Sequence, residues 1–215
     1  MNEKTKRISV LGMLSALAVI SVLLIRVPLM PAAPFLTYDP KDVIIVIGGF
    51  IYGPLAALII AVVASFVEMI TVSDTGPIGF VMNIISSGAF ACTAAIIYKQ
   101  NRTLKGAVAG LMAAWIVTTI AMVLWNYLIV PLYMEVPRHV VAGMLLPIFV
   151  PFNLLKGGLN AGFAMLLYKP VKSAIRAANL IPPSPAKDGG AINIGVVIGS
   201  VLVILACVLF VMVMV

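Results

Sequence analysis

The chain has 215 residues, of which 63% are hydrophobic and 10% are charged, and its formal net charge is +7. Soluble domains contain about 45–50% apolar and about 25% charged residues, so this composition excludes an ordinary soluble domain and predicts a helical integral membrane protein. With one histidine, His139, and two cysteines within apolar runs, Cys92 and Cys207, the sequence predicts no metal site and no disulfide framework.

Apolar segments of near-spanning length follow one another along the chain. Seven are predicted, at 8–30, 41–53, 54–72, 76–98, 106–130, 148–173 and 192–215. The first is interpreted as a retained helix, because Arg26-Val27-Pro28 is not the small-residue cleavage site of a signal peptide. We therefore predict an all-α protein with a six-helix membrane domain at 1–180, a Pro/Gly-containing cytoplasmic linker at 181–191 and a seventh membrane helix at 192–215.

The segment 41–72 could form one long helix or a hairpin of two shorter helices broken at Gly53-Pro54. Lys and Arg residues favour the cytoplasmic side of a membrane. With two helices, the basic N-terminus, the loop at 99–105 and the segment at 169–187 all lie on one side. We therefore predict the hairpin and a cytoplasmic N-terminus in the cell membrane. The net charge then reflects membrane topology, not nucleic-acid binding.

Polar residues within the predicted helices fall at a common depth. With about 1.5 Å of rise per residue, all lie in the half of the membrane farther from the basic loops. They are Arg26, Glu68, Asn83, Asn126, Asn153 and Lys156. Several helices directing polar groups to one level predict a ligand pocket open to the outside, whereas an ion relay would need ionisable groups across the whole membrane. Asn153 and Lys156 share a helix face, which Asn160 extends, and would suit a neutral ligand rich in carbonyl and imide groups.

Some of these residues also have simpler interpretations. Lys156 could reach the membrane surface or pair with Glu68. Glu68 and Arg26 could cap helices or form a mutual ion pair. Asn83 could have a purely structural role and join helices through hydrogen bonds. The proline-rich outer loop at 30–42 could close over the pocket as a lid, or it could lie on the membrane surface.

Four motifs, in this order, resemble one protein family: FLTYDPKDV, IGGFIYGPLAALI, WNYLIVPLY and PFNLLKG. Together they resemble the substrate-binding S component of energy-coupling-factor (ECF) vitamin importers, and within it the riboflavin-specific branch, over roughly residues 8–173. The resemblance implies a six-helix membrane subunit that captures riboflavin from outside the cell. It also implies that Asn126, Asn153 and Lys156 contact the flavin ring, the same three residues that the depth argument selects.

The resemblance implies further contacts. The first outer loop around Leu36, Thr37 and Tyr38 would close over the vitamin, and the region of Gly79 would line the pocket. In this family the first helix docks on a transmembrane coupling subunit through small residues four positions apart. Gly12 and Ala16 would serve here, unless they only pack the chain's own helices.

The resemblance implies a coupling subunit and a pair of ATPase subunits as partners, which agrees with the lack of a nucleotide-binding motif in the chain. The family pattern ends after its sixth helix, so the segment 192–215 is a departure from it. We expect riboflavin as the transported ligand, no cofactor and no catalytic activity.

Other functions stay open at this stage. The chain could be an S component for another vitamin or precursor, a stand-alone carrier, or an intramembrane enzyme acting on a lipid. Carriers often contain internal repeats, and none is detected. An acid–base enzyme would have only Glu68, Asp39 and Lys156 as candidates, with no histidine inside a span.

Overall fold

The computed structural model describes residues 2–30, 33–178 and 194–214 as a bundle of membrane helices with one two-stranded sheet. The helices are α1 (Glu3–Leu24), α2 (Lys41–Tyr52), α3 (Pro54–Thr71), α4 (Gly76–Gln100), α5 (Leu104–Tyr133), α6 (Arg138–Met144), α7 (Val150–Ala177) and α8 (Ile194–Met214). A π-helical turn, Leu145–Phe149, joins α6 to α7. Strand β1 (Val27–Pro28) pairs antiparallel with β2 (Thr37–Tyr38). Within the described ranges, six segments are long and apolar enough to cross a membrane. The predicted all-α membrane class is confirmed.

Helices α2 and α3 form the predicted hairpin. Gly53 between them has a φ of +92°, a conformation that residues with a Cβ rarely adopt. Pro54 can begin α3 because the first helical position needs no backbone N–H. Although α2 has only 12 residues, nine of them are buried. It is therefore an interior helix surrounded by its neighbours, which explains its almost continuous apolar sequence.

Helix α1 ends at Leu24, short of the predicted end at residue 30. Pro28 cannot donate to a helical hydrogen-bond ladder and restricts Val27 to an extended conformation, so these two residues form β1 instead. Arg26 therefore lies in the loop after α1. The prediction that it lies inside a span is wrong.

Most of the stretch between the fifth and sixth predicted spans is helical. α5 continues to Tyr133, and α6 with the π-helical turn leads directly into α7. Pro147 lies in the π-helical turn and Pro151 follows it. Since neither can donate a backbone N–H, the regular hydrogen-bond ladder is interrupted there.

The two ends of the bundle differ in charge. At one end the Arg7 guanidinium lies 5.7 Å from the centre of the Tyr52 ring. Lys172 donates to the Tyr168 hydroxyl at 3.0 Å, and the Tyr168 ring packs 5.8 Å from that of Tyr98. The basic N-terminus, the end of α4 and the basic end of α7 therefore meet at the same end of the molecule, which we call the basic end.

Helix α8 packs antiparallel on α7. A Cβ on Gly158 would lie 2.9 Å from the Cys207 Sγ, and one on Gly162 would lie 2.7 Å from a side-chain carbon of Ile204, so these glycines allow a close approach. The extra C-terminal helix is thus present over 194–214. Residues 192, 193 and 215 and the predicted linker at 181–191 lie outside the described residues.

Candidate functional site

A cavity of about 80 Å³ lies at the end of the bundle opposite the basic end. It forms where α3 and α5 end and where α4 and α7 begin, and the loop before α2 covers it. The predicted site residues that line it are Leu36, Thr37, Glu68, Gly79, Asn83, Asn126, Asn153 and Lys156. The structure thus brings together residues from five parts of the chain, as the common depth suggested. Their role in binding stays a prediction.

The three residues selected for ligand contact are all buried in the cavity wall. Asn126 is 1% exposed, and its Oδ1 has no hydrogen-bond partner among the described residues. Asn153 donates through Nδ2 to the Phe149 carbonyl at 2.8 Å, which commits this group to its own helix. Lys156 donates to the Asp39 carboxylate at 3.0 Å. The wall therefore presents an unpaired acceptor on α5 and an ammonium group on α7.

A second lysine lies directly behind this wall. Lys41 is 0% exposed, and its Nζ donates to the Glu68 carboxylate at 2.6 Å, to Asn83 Oδ1 at 3.2 Å and to the Asp39 carboxylate at 3.4 Å. Glu68 therefore pairs with Lys41, and the alternative of a Lys156–Glu68 pair is wrong. The two lysines share Asp39, so the four ionisable groups form one continuous buried network.

The charge of Asp39 follows from its two neighbours. Burial alone would raise the pKa of this carboxyl, but Lys156 and Lys41 hold the pKa below its ordinary value. Asp39 is therefore ionised at neutral pH, and the free-energy cost of burying it is offset by two cations and their hydrogen bonds.

Arg26 takes part in a separate cluster at the cavity mouth. Its Nη2 lies 3.7 Å from the exposed Asp74 carboxylate, and its Nε donates to Thr37 Oγ1 at 3.4 Å. It also donates to the Val72 carbonyl. The alternative of a mutual Arg26–Glu68 ion pair is therefore wrong.

Asp42 extends the buried polar network away from the cavity. It accepts hydrogen bonds from Ser87 at 2.5 Å and from Asn160 Nδ2 at 3.1 Å. Asn160, the third member of the predicted polar stripe, thus contacts α2 and does not line the cavity. Its function in this structure is to join α7 to the interior helix.

The loop predicted as a lid packs over the bundle. Leu36 and Thr37 line the cavity, and Leu36 shares an apolar cluster with Phe149 of the π-helical turn and Phe152 of α7. Unlike Thr37, the Tyr38 side chain is buried in the same cluster and does not line the cavity, so its part in closing over a ligand stays a prediction. Strand alternation explains this difference, since consecutive residues of β2 face opposite sides.

Gly12 and Ala16 lie far from the cavity, on the outer surface of α1. Both are exposed, and a Cβ added to Gly12 would meet nothing within 4 Å. They line an apolar groove between α1 and α3, to which Ile59 and Val63 also contribute. The alternative that these small residues only pack the chain's own helices is therefore not what the structure shows.

Several residues of the site were not predicted. They are the cavity-lining residues Phe35, Asp39, Ser73, Thr75, Met82, Ser86, Met122 and Phe152, together with Lys41 behind the wall. The depth argument considered only polar residues inside predicted spans. The sequence did contain a signal for Asp39 and Lys41: the stretch YDPKD carries three charged residues directly before a very apolar segment.

The family model described as "ECF transporter, substrate-specific component" matches residues 6–168. The chain belongs to this family. Its members are transport subunits and not enzymes. The S-component fold is confirmed by a solved structure described as the S component of a bacterial ECF transporter, with a TM-score of 0.67 and 32% identity over 80% of this chain and 99% of that chain. Helix α8 lies beyond the residues that the family model matches.

Named relatives of this S component come from three bacteria. A protein of Staphylococcus aureus named riboflavin transporter RibU is 33% identical over 78% of this chain and 90% of its own length. A Streptococcus thermophilus protein of the same name is 30% identical over 80% of this chain and 85% of its own. Riboflavin transporter FmnP of Bacillus subtilis is 30% identical over 72% of this chain and 85% of its own.

Proposed function

We propose that this chain captures riboflavin from outside the cell as the substrate-specific component of an ECF transporter, which imports it at the expense of ATP hydrolysed by partner subunits. The observation that carries the proposal is the convergence of Asn126 and Lys156 on one buried cavity. The flavin ring presents an imide edge in which one N–H lies between two carbonyl groups. Lys156 can donate to a carbonyl, and the unpaired Asn126 Oδ1 can accept from the N–H.

The rest of the cavity wall supports the same ligand. Met82, Met122 and Phe152 offer apolar and polarisable surface for the faces of a flat ring system. Thr37 and Ser73 supply hydroxyl groups to the same wall, and Arg26, which donates to Thr37 Oγ1, adds a guanidinium, so a ribityl chain has hydrogen-bond partners there. The names of the relatives agree with this chemistry.

The size of the cavity bears on how the ligand enters. Its volume of about 80 Å³ is well below the roughly 300–1,000 Å³ of drug-sized ligand pockets. A flavin would therefore enter only if part of the wall moves. Leu36 and Thr37 belong to a short loop and hairpin, whereas most of the other lining residues lie on long helices, so we propose that this loop moves outward and then closes as a lid.

The remaining parts of the proposal concern partners and orientation. We propose that the apolar groove at Gly12 and Ala16 receives the transmembrane coupling subunit, since small residues on an exposed helix face allow another helix to approach closely. The basic end would face the cytoplasm, where the pair of ATPase subunits acts, and the cavity would face outward.

The first experiment is purification from flavin-containing cells in mild detergent, followed by an absorption spectrum in the visible range. We expect a retained flavin that is released on denaturation and identified as riboflavin. A colourless protein that also fails to quench the fluorescence of added riboflavin would overturn the ligand assignment. The same assay with other vitamins would then identify the substrate of this S component.

A further inference from the structure

Asp39 connects two lysines that have different surroundings. Its Oδ2 accepts from Lys156 at 3.0 Å and from Lys41 at 3.4 Å, and its Oδ1 accepts from the Lys41 backbone N–H at 3.3 Å. Asp39 is 2% exposed and lines the cavity beside Lys156. Among the described residues of this network, Asp39 is therefore the one that hydrogen-bonds to both cations.

The two lysines differ in how many donors they have left. An ammonium group has three N–H donors. Lys41 directs all three to protein acceptors, on Asp39, Glu68 and Asn83. Lys156 uses one, on Asp39, and the described residues offer it no second hydrogen-bond partner. Lys41 is thus a structural anchor, while Lys156 keeps two donors for a ligand.

The position of Asp39 in the chain gives this contact a second consequence. Asp39 directly follows β2, two residues after Thr37, which lines the cavity. Its partner Lys156 lies on α7, 117 positions away in the sequence. The ion pair therefore joins the cavity-covering segment 33–40 to the helix that carries the ligand-contacting lysine.

We propose that Asp39 is a positioning residue for substrate recognition: its carboxylate directs the Lys156 ammonium toward the cavity, neutralises its charge and holds segment 33–40 against α7. This inference rests on the proposed riboflavin-binding function. A neutralised lysine suits an uncharged ligand carbonyl, whereas an unpaired buried ammonium would favour an anion. Closure of the segment and orientation of the lysine are then one event, since the same carboxylate controls both.

The test compares riboflavin affinity, measured by quenching of flavin fluorescence, among the wild type, Asp39→Asn and Asp39→Glu. Loss of a charge-assisted hydrogen bond that orients Lys156 is expected to weaken binding about tenfold or more in Asp39→Asn. Asp39→Glu, which keeps the charge, is expected to restore part of the affinity. The matched comparison is Asp42→Asn, a buried carboxylate three residues away whose charge also acts on Lys156 but which neither hydrogen-bonds to that lysine nor lines the cavity. It should lose clearly less affinity than Asp39→Asn.

Two further measurements need no ligand. Amide hydrogen exchange at Leu36, whose N–H bonds to the Ala33 carbonyl at 2.9 Å, should be faster in Asp39→Asn than in Asp42→Asn. In a double-mutant cycle, Asp39→Asn with Lys156→Met should lower the thermal midpoint by less than the sum of the single changes, because the double variant leaves neither partner of the pair buried alone.

The outcomes separate the inference from the proposed function. Wild-type affinity in Asp39→Asn, or strictly additive midpoints with unchanged exchange at Leu36, would overturn the role of Asp39 while leaving riboflavin binding intact. Failure of the wild-type protein to bind riboflavin would overturn the proposed function, and the exchange and midpoint measurements would still decide whether Asp39 holds Lys156 and the segment.

Discussion

Asn126 combines deep burial with an unpaired acceptor. Its Oδ1 has no hydrogen-bond partner among the described residues, although the side chain lines the cavity. A buried polar atom without a hydrogen-bond partner destabilises the protein. A ligand that supplies the missing donor removes this cost and therefore binds more tightly. Replacing this residue should therefore weaken ligand binding without destabilising the ligand-free protein.

We predict that Asn126→Leu weakens riboflavin binding while the thermal midpoint of the ligand-free protein stays the same or rises. Losing one hydrogen bond to a buried group costs about 1–3 kcal/mol, which corresponds to roughly a 5- to 150-fold increase in Kd. Fluorescence quenching and thermal unfolding in detergent measure the two effects. Thr118→Val is the matched control, since the Thr118 hydroxyl is also buried and unpaired on α5 but does not line the cavity. Equal effects of both changes on Kd would contradict a ligand contact at Asn126.

The individual contacts of Lys156 show where inference from sequence stops. A lysine in an apolar helix predicts a compensating partner, and the depth argument correctly placed it near Asn126 and Asn153. The partner itself, Asp39, lies in a loop 117 residues earlier, and no spacing rule connects the two. Only the packing of the loop onto α7 brings them together.

Helix α7 depends on glycines directly beside its lysine. The sequence LLKGGLN places Gly157 against the indole ring of Trp115, where an added Cβ would lie 2.3 Å from Cδ1. Trp115 cannot easily turn away, because its Nε1 donates to the Leu154 carbonyl at 2.8 Å. The contact between α5 and α7 therefore fixes the helix segment from which Lys156 projects.

We predict that Gly157→Ala forces α5 and α7 apart, lowers the thermal midpoint and weakens riboflavin binding. Inserting atoms into a packed interface costs about 1–3 kcal/mol, which outweighs the gain of about 1 kcal/mol in helix propensity. Thermal unfolding and flavin titration measure the result. Gly143→Ala is the control, because a Cβ there would meet nothing within 4 Å. A midpoint for Gly157→Ala at or above that of Gly143→Ala would show that the indole can adjust.

The short helix α2 shows what charge can predict that hydropathy cannot. Its 12 residues are too few to span a bilayer, and only the distribution of Lys and Arg favoured a hairpin with α3. Burial of nine of these residues then explains why so short a helix is stable in the bundle. Its first residues, Lys41 and Asp42, lie where the predicted outer loop 30–42 overlaps the predicted span 41–53, and no spacing in the sequence indicates their buried partners.

The molecule as a whole is polarised along the direction of its helices. The aromatic and basic side chains around Arg7, Tyr98 and Lys172 occupy one end, and the cavity with its charge network occupies the other. Helix α8 adds to this arrangement without altering it. It contacts α7 through Gly158 and Gly162. The groove at Gly12 is lined by residues of α1 and α3 and by none of α8, so the proposed docking surface stays open.

The orientation of this polarised molecule is the last prediction, and thiol labelling in intact cells tests it. In a background where Cys92 and Cys207 are replaced by alanine, His139→Cys places a thiol at an exposed site near the cavity end, and Arg102→Cys places one in the basic loop between α4 and α5. Because Lys and Arg favour the cytoplasmic side, a reagent that cannot cross membranes should label only the first variant in intact cells. The second should react only after the membrane is opened, and the cysteine-free background should not react at all. Labelling in the reverse order would place the cavity on the cytoplasmic side, where it could not capture a vitamin for import.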